Sequence, residues 1–155
     1  MSSTHLWHEA DGTLNRRFVI YLPSCRKDGS AIEGYQDLAD AAARLLCELF
    51  GGVTSYPATG LFRRSTGEAQ KEQVVALETF CESADWERRS NFLHRTAAML
   101  AELLDQESIA CSLDGRLSFV EPKEDPGAES SDGKNSASAF SRWLSGERGK
   151  DSMGK

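Results

Sequence analysis

The segment Gln73 to Cys81 (QVVALETFC) limits the fold more than any other part of the chain. In an extended backbone, successive side chains point to opposite faces. Val75, Leu77 and Thr79 then share one face, and Val74, Ala76 and Phe80 the other. A strand that is apolar on both sides belongs in the middle of a sheet, with something covering each face. The rest of the chain must therefore supply neighbouring strands and at least one covering layer.

The neighbours can be read from periodicity. Arg17 to Ser24 (RFVIYLPS) alternates as a strand, with Phe18, Ile20 and Leu22 on one face and Val19 and Tyr21 on the other. Leu38, Ala42, Leu45, Leu46 and Leu49 repeat on one face of a helix over Tyr35 to Phe50, and Gly51 and Gly52 stop it. Val53 to Arg64 reads as extended, with Pro57 forcing an edge, a bulge or a break. A second helix is expected over Trp86 to Leu104, with Asp85 as its N-cap and Trp86, Leu93, Ala97, Leu100 and Leu104 as its buried stripe. Asp114-Gly115 between two alternating runs signals a closing β-hairpin. The order β-α-β-β-α-β predicts an α+β, ferredoxin-like sandwich. It has a short extra C-terminal hairpin strand and two helices on one face of an antiparallel sheet. On this reading, nothing within the domain covers the other face.

The expected organisation is a flexible segment over 1–16, one domain over 17–120 and a disordered tail over 121–155. The tail is too polar to order itself, apart from an amphipathic island at 138–144. There, Phe140, Trp143 and Leu144 fall at i, i+3 and i+4, the spacing of a helix that docks in a groove or folds back on its own domain.

Charge narrows the function. Residues 1–120 hold 17 acidic and 12 basic side chains, which argues against nucleic acid as a partner, because that binding rests on neutralising phosphates. The N-terminus has neither the basic nor the apolar region of a signal peptide, and no apolar run is long enough for a bilayer, so the cytoplasm is the expected location. Cys25, Cys47, Cys81 and Cys111 lack metal or redox spacing. No metal and no cofactor are expected. Cys47, Cys81 and Cys111 sit in apolar runs and are expected to be buried thiols.

The stretch Gly52, Thr54, Ala58, Gly60, Phe62, then Gly67, Glu72, Gln106 and Glu107, resembles the pattern of an uncharacterised bacterial family of small α+β proteins. The resemblance spans about Phe18 to Val120, and Phe62 stands where that family more often has Trp. It implies the fold and adds no activity.

No catalytic motif is present. The weak catalytic candidates are His94, Tyr21, Glu72 and Glu107; His5 and His8 lie in the polar N-terminus. Arg63 and Arg64, being adjacent, are expected to point to opposite faces. The leading expectation is a non-catalytic binding or regulatory protein. It would act through protein contacts, dimerising or docking a partner at its open sheet face (Val19, Tyr21), with Phe140, Trp143 and Leu144 as a second contact. An acidic inhibitor or adaptor of nucleic-acid machinery is one version of it. The alternative is a small dimeric enzyme with a pocket enclosed at the sheet face, taking a small-molecule ligand.

Overall fold

A computed structural model describes residues 14–123 and 136–152, with side chains of the last segment described over 137–147. The expected flexible segment over 1–16, with His5 and His8, lies almost wholly outside the described residues.

Five strands form one antiparallel sheet: β1 (Arg16–Pro23), β2 (Thr54–Arg63), β3 (Ala69–Cys81), β4 (Ile109–Leu113) and β5 (Arg116–Val120), in the order β2-β3-β1-β4-β5. Among the described residues, three helices accompany it: α1 (Tyr35–Phe50), α2 (Ser83–Leu103) and α3 (Ser136–Ser152). The architecture is thus α+β with an antiparallel sheet that includes the extra C-terminal hairpin strand, as expected, but with a third helix beyond the two-helix plan.

β3 is flanked by β1 and β2, the interior place that its two-sided apolar pattern demands. It begins at Ala69, earlier than the hydrophobic pattern indicates, because β2 pairs with it along its full length, from Thr54↔Glu78 to Arg63↔Ala69. Pro57 is accommodated because β2 is an edge strand, where a missing N–H costs no ladder bond. Asp114 and Gly115 take positive φ (51° and 82°), as a tight hairpin requires. The Asp114 carboxylate accepts the Arg17 N–H at 2.8 Å and an Arg16 guanidinium N–H at 2.6 Å, which ties the hairpin to β1.

One face of the sheet carries the core. Phe18, Ile20, Leu22, Leu77, Ile109 and Cys111 face Leu38, Leu45 and Leu46 of α1 and Leu93, Leu100 and Leu104 around α2. Trp86 packs its ring 5.2 Å from Phe18. Helix α2 starts at Ser83, and Asp85 makes no cap; its carboxylate pairs with Arg88 one turn on. Cys47 differs from expectation: it lies on the exposed side of α1, whereas Cys81 and Cys111 are buried.

The larger correction concerns the tail. Ser136–Ser152 is helical, and Phe140 is completely buried in the domain's own core. Trp143 stacks between Phe92 and Phe140, with ring centroids 6.0 Å apart in each pair, and Leu144 packs against the same core. Glu147 is buried and accepts from Arg95 at 3.2 Å. Three apolar side chains one turn apart are better satisfied by an adjacent apolar groove than by water. Phe140, Trp143 and Leu144 are therefore internal packing residues of the helical layer. No helix among the described residues is long and apolar enough to cross a membrane.

Candidate active site

Among the described residues, no helix packs on the second face of the sheet. Its central row runs Tyr56, Ala76, Tyr21 across β2, β3 and β1, with Ala76 fully buried between its two tyrosine neighbours. The next row is Ala58, Val74, Pro23, and beyond it come the pairs Gly60↔Glu72 and Phe62↔Gln70. A Cβ on Gly60 would collide with the Phe62 ring. Glycine at this position therefore lets the ring fold back across β2, alongside Glu72.

Here the sheet face opens into a cavity of about 570 Å³. Tyr21, Val74, Ala110 and Phe119 contribute from the strands, and Phe62 and Glu72 from the β2–β3 ribbon. Arg26 and Lys27 come from the loop after β1, Arg63 and Arg64 from the end of β2, and Gln106 and Glu107 from the loop after α2.

These walls are cross-tied. Gln106 donates through Nε2 to the Cys25 carbonyl at 2.6 Å and to the Leu104 carbonyl at 2.8 Å. Arg64 donates to Gln70 Oε1 at 2.5 Å and to the Lys27 carbonyl at 2.8 Å. Three segments distant in sequence thus hold one another. Behind the cavity, the Tyr35 hydroxyl is inserted between β1 and β3, donating to the Leu22 carbonyl at 2.6 Å and accepting the Val75 N–H at 3.2 Å. Burial pushes its pKa up to about 12, so it stays a neutral strut.

Glu72 is the chemically unusual member. It accepts the Cys25 N–H at 3.3 Å and is half-buried. Burial raises its pKa above the ordinary carboxyl value, and the Cys25 N–H and the Arg64 guanidinium only partly oppose that. A desolvated carboxyl in a cleft is poised either to hold a proton or to attract a cation.

The structure brings together three of the four sequence candidates, Tyr21, Glu72 and Glu107. The fourth, His94, is exposed on α2 and does not line the cavity. Val19 shares the open face but is buried and stands off the cavity. Arg63 and Arg64 do not diverge as expected: both line the cavity, because β2 ends at Arg63 and strand alternation stops there. Arg26, Lys27 and Phe119 carry no motif and are joined to the site only by the fold. Among the described residues, no cluster of His, Cys, Asp and Glu is arranged to hold a metal ion.

No family model matches the sequence, and no curated protein matches it. Among solved structures, the chain is similar to a phage SAM lyase in complex with S-methyl-5′-thioadenosine, with a TM-score of 0.55 and 14% identity over 77% of this chain and 98% of that one. A phage SAM lyase in the apo state aligns with a TM-score of 0.48 and 16% identity over 71% of this chain and 91% of that one. The first likeness establishes a shared fold. It also corrects the expectation of a non-catalytic binding or regulatory protein. The fold is one that houses an enzyme, and the sheet face holds a walled, polar-lined cavity instead of a bare docking surface.

Proposed function

We propose that this protein is a small enzyme that cleaves a sulfonium nucleoside of the S-adenosylmethionine (SAM) type and releases S-methyl-5′-thioadenosine. One observation carries the reading. A half-buried carboxyl, Glu72, stands beside aromatic side chains in a cavity of about 570 Å³, on a sheet whose fold matches that of a SAM lyase. The volume suits a nucleoside-sized ligand. We read β2-β3-β1-β4 as the ferredoxin-like core, with β5 and α3 added to it.

The chemistry asks little of the protein. Breaking the bond between the sulfonium sulfur and the γ-carbon of the aminobutyryl group leaves the electron pair on sulfur. The leaving group is a neutral thioether and needs no proton. The γ-carbon is then satisfied from within the substrate by one of two routes. The substrate's own carboxylate closes on it to a lactone, or a neighbouring C–H bond supplies a new double bond and gives its proton to a base. Glu72, with its raised proton affinity, is the group placed to take such a proton. On either route, positive charge disappears from sulfur, so exclusion of water by Phe62, Tyr21 and Val74 favours the reaction. In the bound state, the Glu72 carboxylate and the faces of Tyr21 and Phe62 attract the sulfonium.

Self-association belongs to the same proposal. Phe62, Leu117 and Phe119 on the open face are 42%, 56% and 61% exposed, and a second copy would close the cavity's open side.

The test is to incubate the full chain with SAM and follow both products by mass spectrometry. S-methyl-5′-thioadenosine should form well above the spontaneous background. On the elimination route, Glu72→Gln should lower the rate by roughly 10²-fold or more; on the lactone route it removes only the attraction to the sulfonium, and the loss should be smaller. A lactone or an unsaturated amino acid as the second product identifies the route. Wild-type turnover no faster than background refutes the proposal.

A further inference from the structure

Four cations, Arg26, Lys27, Arg63 and Arg64, gather around one cavity of a domain that is otherwise acidic, with 17 acidic and 12 basic side chains over residues 1–120. Two of them have structural duties. Arg64 is spent on Gln70 and the Lys27 carbonyl, and Lys27 stands 3.9 Å from Asp105. The side chains of Arg26 and Arg63 make no hydrogen bond or ion pair with any described residue. Behind the hydrogen bonds from Ser30, Arg26 helps to hold the Asp28 carboxyl below its ordinary value, but neither guanidinium donates a hydrogen bond to a described residue. Guanidinium groups lining a cavity in this way are binding capacity for an anion, and their forked donors match a carboxylate. The same cavity carries Glu72 and Glu107. A polyanion such as a nucleoside triphosphate would meet those carboxylates unfavourably, whereas a ligand bearing both charges would not.

We infer that the cavity recognises the zwitterionic amino-acid head of its ligand, with Arg26 and Arg63 taking the α-carboxylate and the Glu72–Glu107 side taking the positive groups. This rests on the proposed sulfonium-nucleoside reading and adds a consequence to it. S-methyl-5′-thioadenosine has lost the aminobutyryl group and with it both head charges. The charged rim then holds substrate but not nucleoside product, so cleavage itself releases the product. Turnover would otherwise be limited by a product that retains the whole nucleoside.

Two neutral thioethers isolate the effect. S-adenosylhomocysteine keeps the amino-acid head without the sulfonium, and S-methyl-5′-thioadenosine lacks the head. Their affinities for the full chain are to be compared by calorimetry in wild type and in the double variant R26Q/R63Q, both substitutions lying on side chains that make no hydrogen bond or ion pair with a described residue. In wild type, S-adenosylhomocysteine should bind at least about tenfold more tightly, as expected for a charge-assisted hydrogen bond. The variant should lose most of that advantage while its affinity for S-methyl-5′-thioadenosine stays the same. Raising the salt concentration should weaken only the first ligand. Equal affinities in wild type, or an advantage that survives in the variant, overturns the head-group inference and leaves the lyase reading standing. If neither compound binds, the head-group inference falls. SAM cleavage, measured separately, reports on the lyase reading alone.

Discussion

Glu72→Gln should make the protein more stable and less active, and the stability change should depend on pH. Burial is the largest cause of the raised Glu72 pKa. An acid with a raised pKa in the folded state binds its proton more tightly there than in the unfolded chain. Folding is therefore favoured while the group is protonated in both states, and stability falls as pH rises from the ordinary carboxyl value of 4.5 through the higher folded value. Glutamine removes the ionisation but keeps an oxygen that can still accept the Cys25 N–H, so the wall contact survives. The side chain is only half-buried, and water screens part of the penalty. The gain above the window should therefore be modest, about 0.5–1 kcal/mol, within the usual range for relieving a strained functional group. For a chain of this size, that is roughly 1–4 °C in Tm. The assay is thermal unfolding of wild type and variant at pH 4 and pH 8. The curves should nearly coincide at pH 4, and the variant should melt higher at pH 8. A variant that melts lower at pH 8, or an equal difference at both pH values, refutes the account of Glu72 as a carboxyl destabilised by burial.

Two further substitutions separate site from scaffold. Phe140→Ala removes a completely buried ring and should cost about 3–5 kcal/mol by denaturant unfolding; a cost under 1 kcal/mol would mean that α3 does not dock as described. Gly60→Ala puts a methyl where the Phe62 ring lies, at a position without positive φ and next to a ring that is 42% exposed, so the ring can swing out. Stability should then change by less than about 1 kcal/mol, while turnover of SAM falls roughly tenfold or more as the wall beside Glu72 opens; unchanged turnover would remove Phe62 from the site.

The parts of the fold that were legible in the sequence are those where local chemistry and tertiary demand agree. Helix α1 begins at Tyr35 and ends at Phe50, where both the apolar stripe and Gly51 place it. The Asp114-Gly115 turn needs only its own two residues. Legibility fails where tertiary context decides. The segment Ala69 to Glu72 carries polar side chains and no strand signal, yet β2 lies beside it and imposes one. Helix α3 includes Gly146 and many polar residues, and its local propensity is poor; Phe140 and Trp143 anchor it to a groove that no local pattern reveals. In the site, Tyr21, Glu72 and Glu107 stand out one by one, but their convergence depends on strand order. Arg63 departs from strand alternation because alternation holds only while a strand continues. His94 is a titratable residue beside an apolar stripe, but the stripe faces the core while His94 faces water.

On the proposed reading, the sheet keeps stability and chemistry on opposite faces, and Glu72 is where the two are thermodynamically coupled. Nearly all the large buried side chains lie on the helical face, so most of the cavity's residues can be unfavourably placed without threatening the fold. A cationic ligand beside Glu72 restores a partner to the desolvated carboxylate and pulls its pKa back down. Binding such a ligand should therefore release a proton at pH values where the free carboxyl is still protonated, and should tighten as pH rises through the Glu72 window. It should also raise the Tm of wild type more than that of Glu72→Gln. S-methyl-5′-thioadenosine, which carries neither sulfonium nor ammonium, offers no such compensation and should stabilise both proteins equally. If the sulfonium and the thioether shift wild type alike, Glu72 is not the group that meets the positive charge.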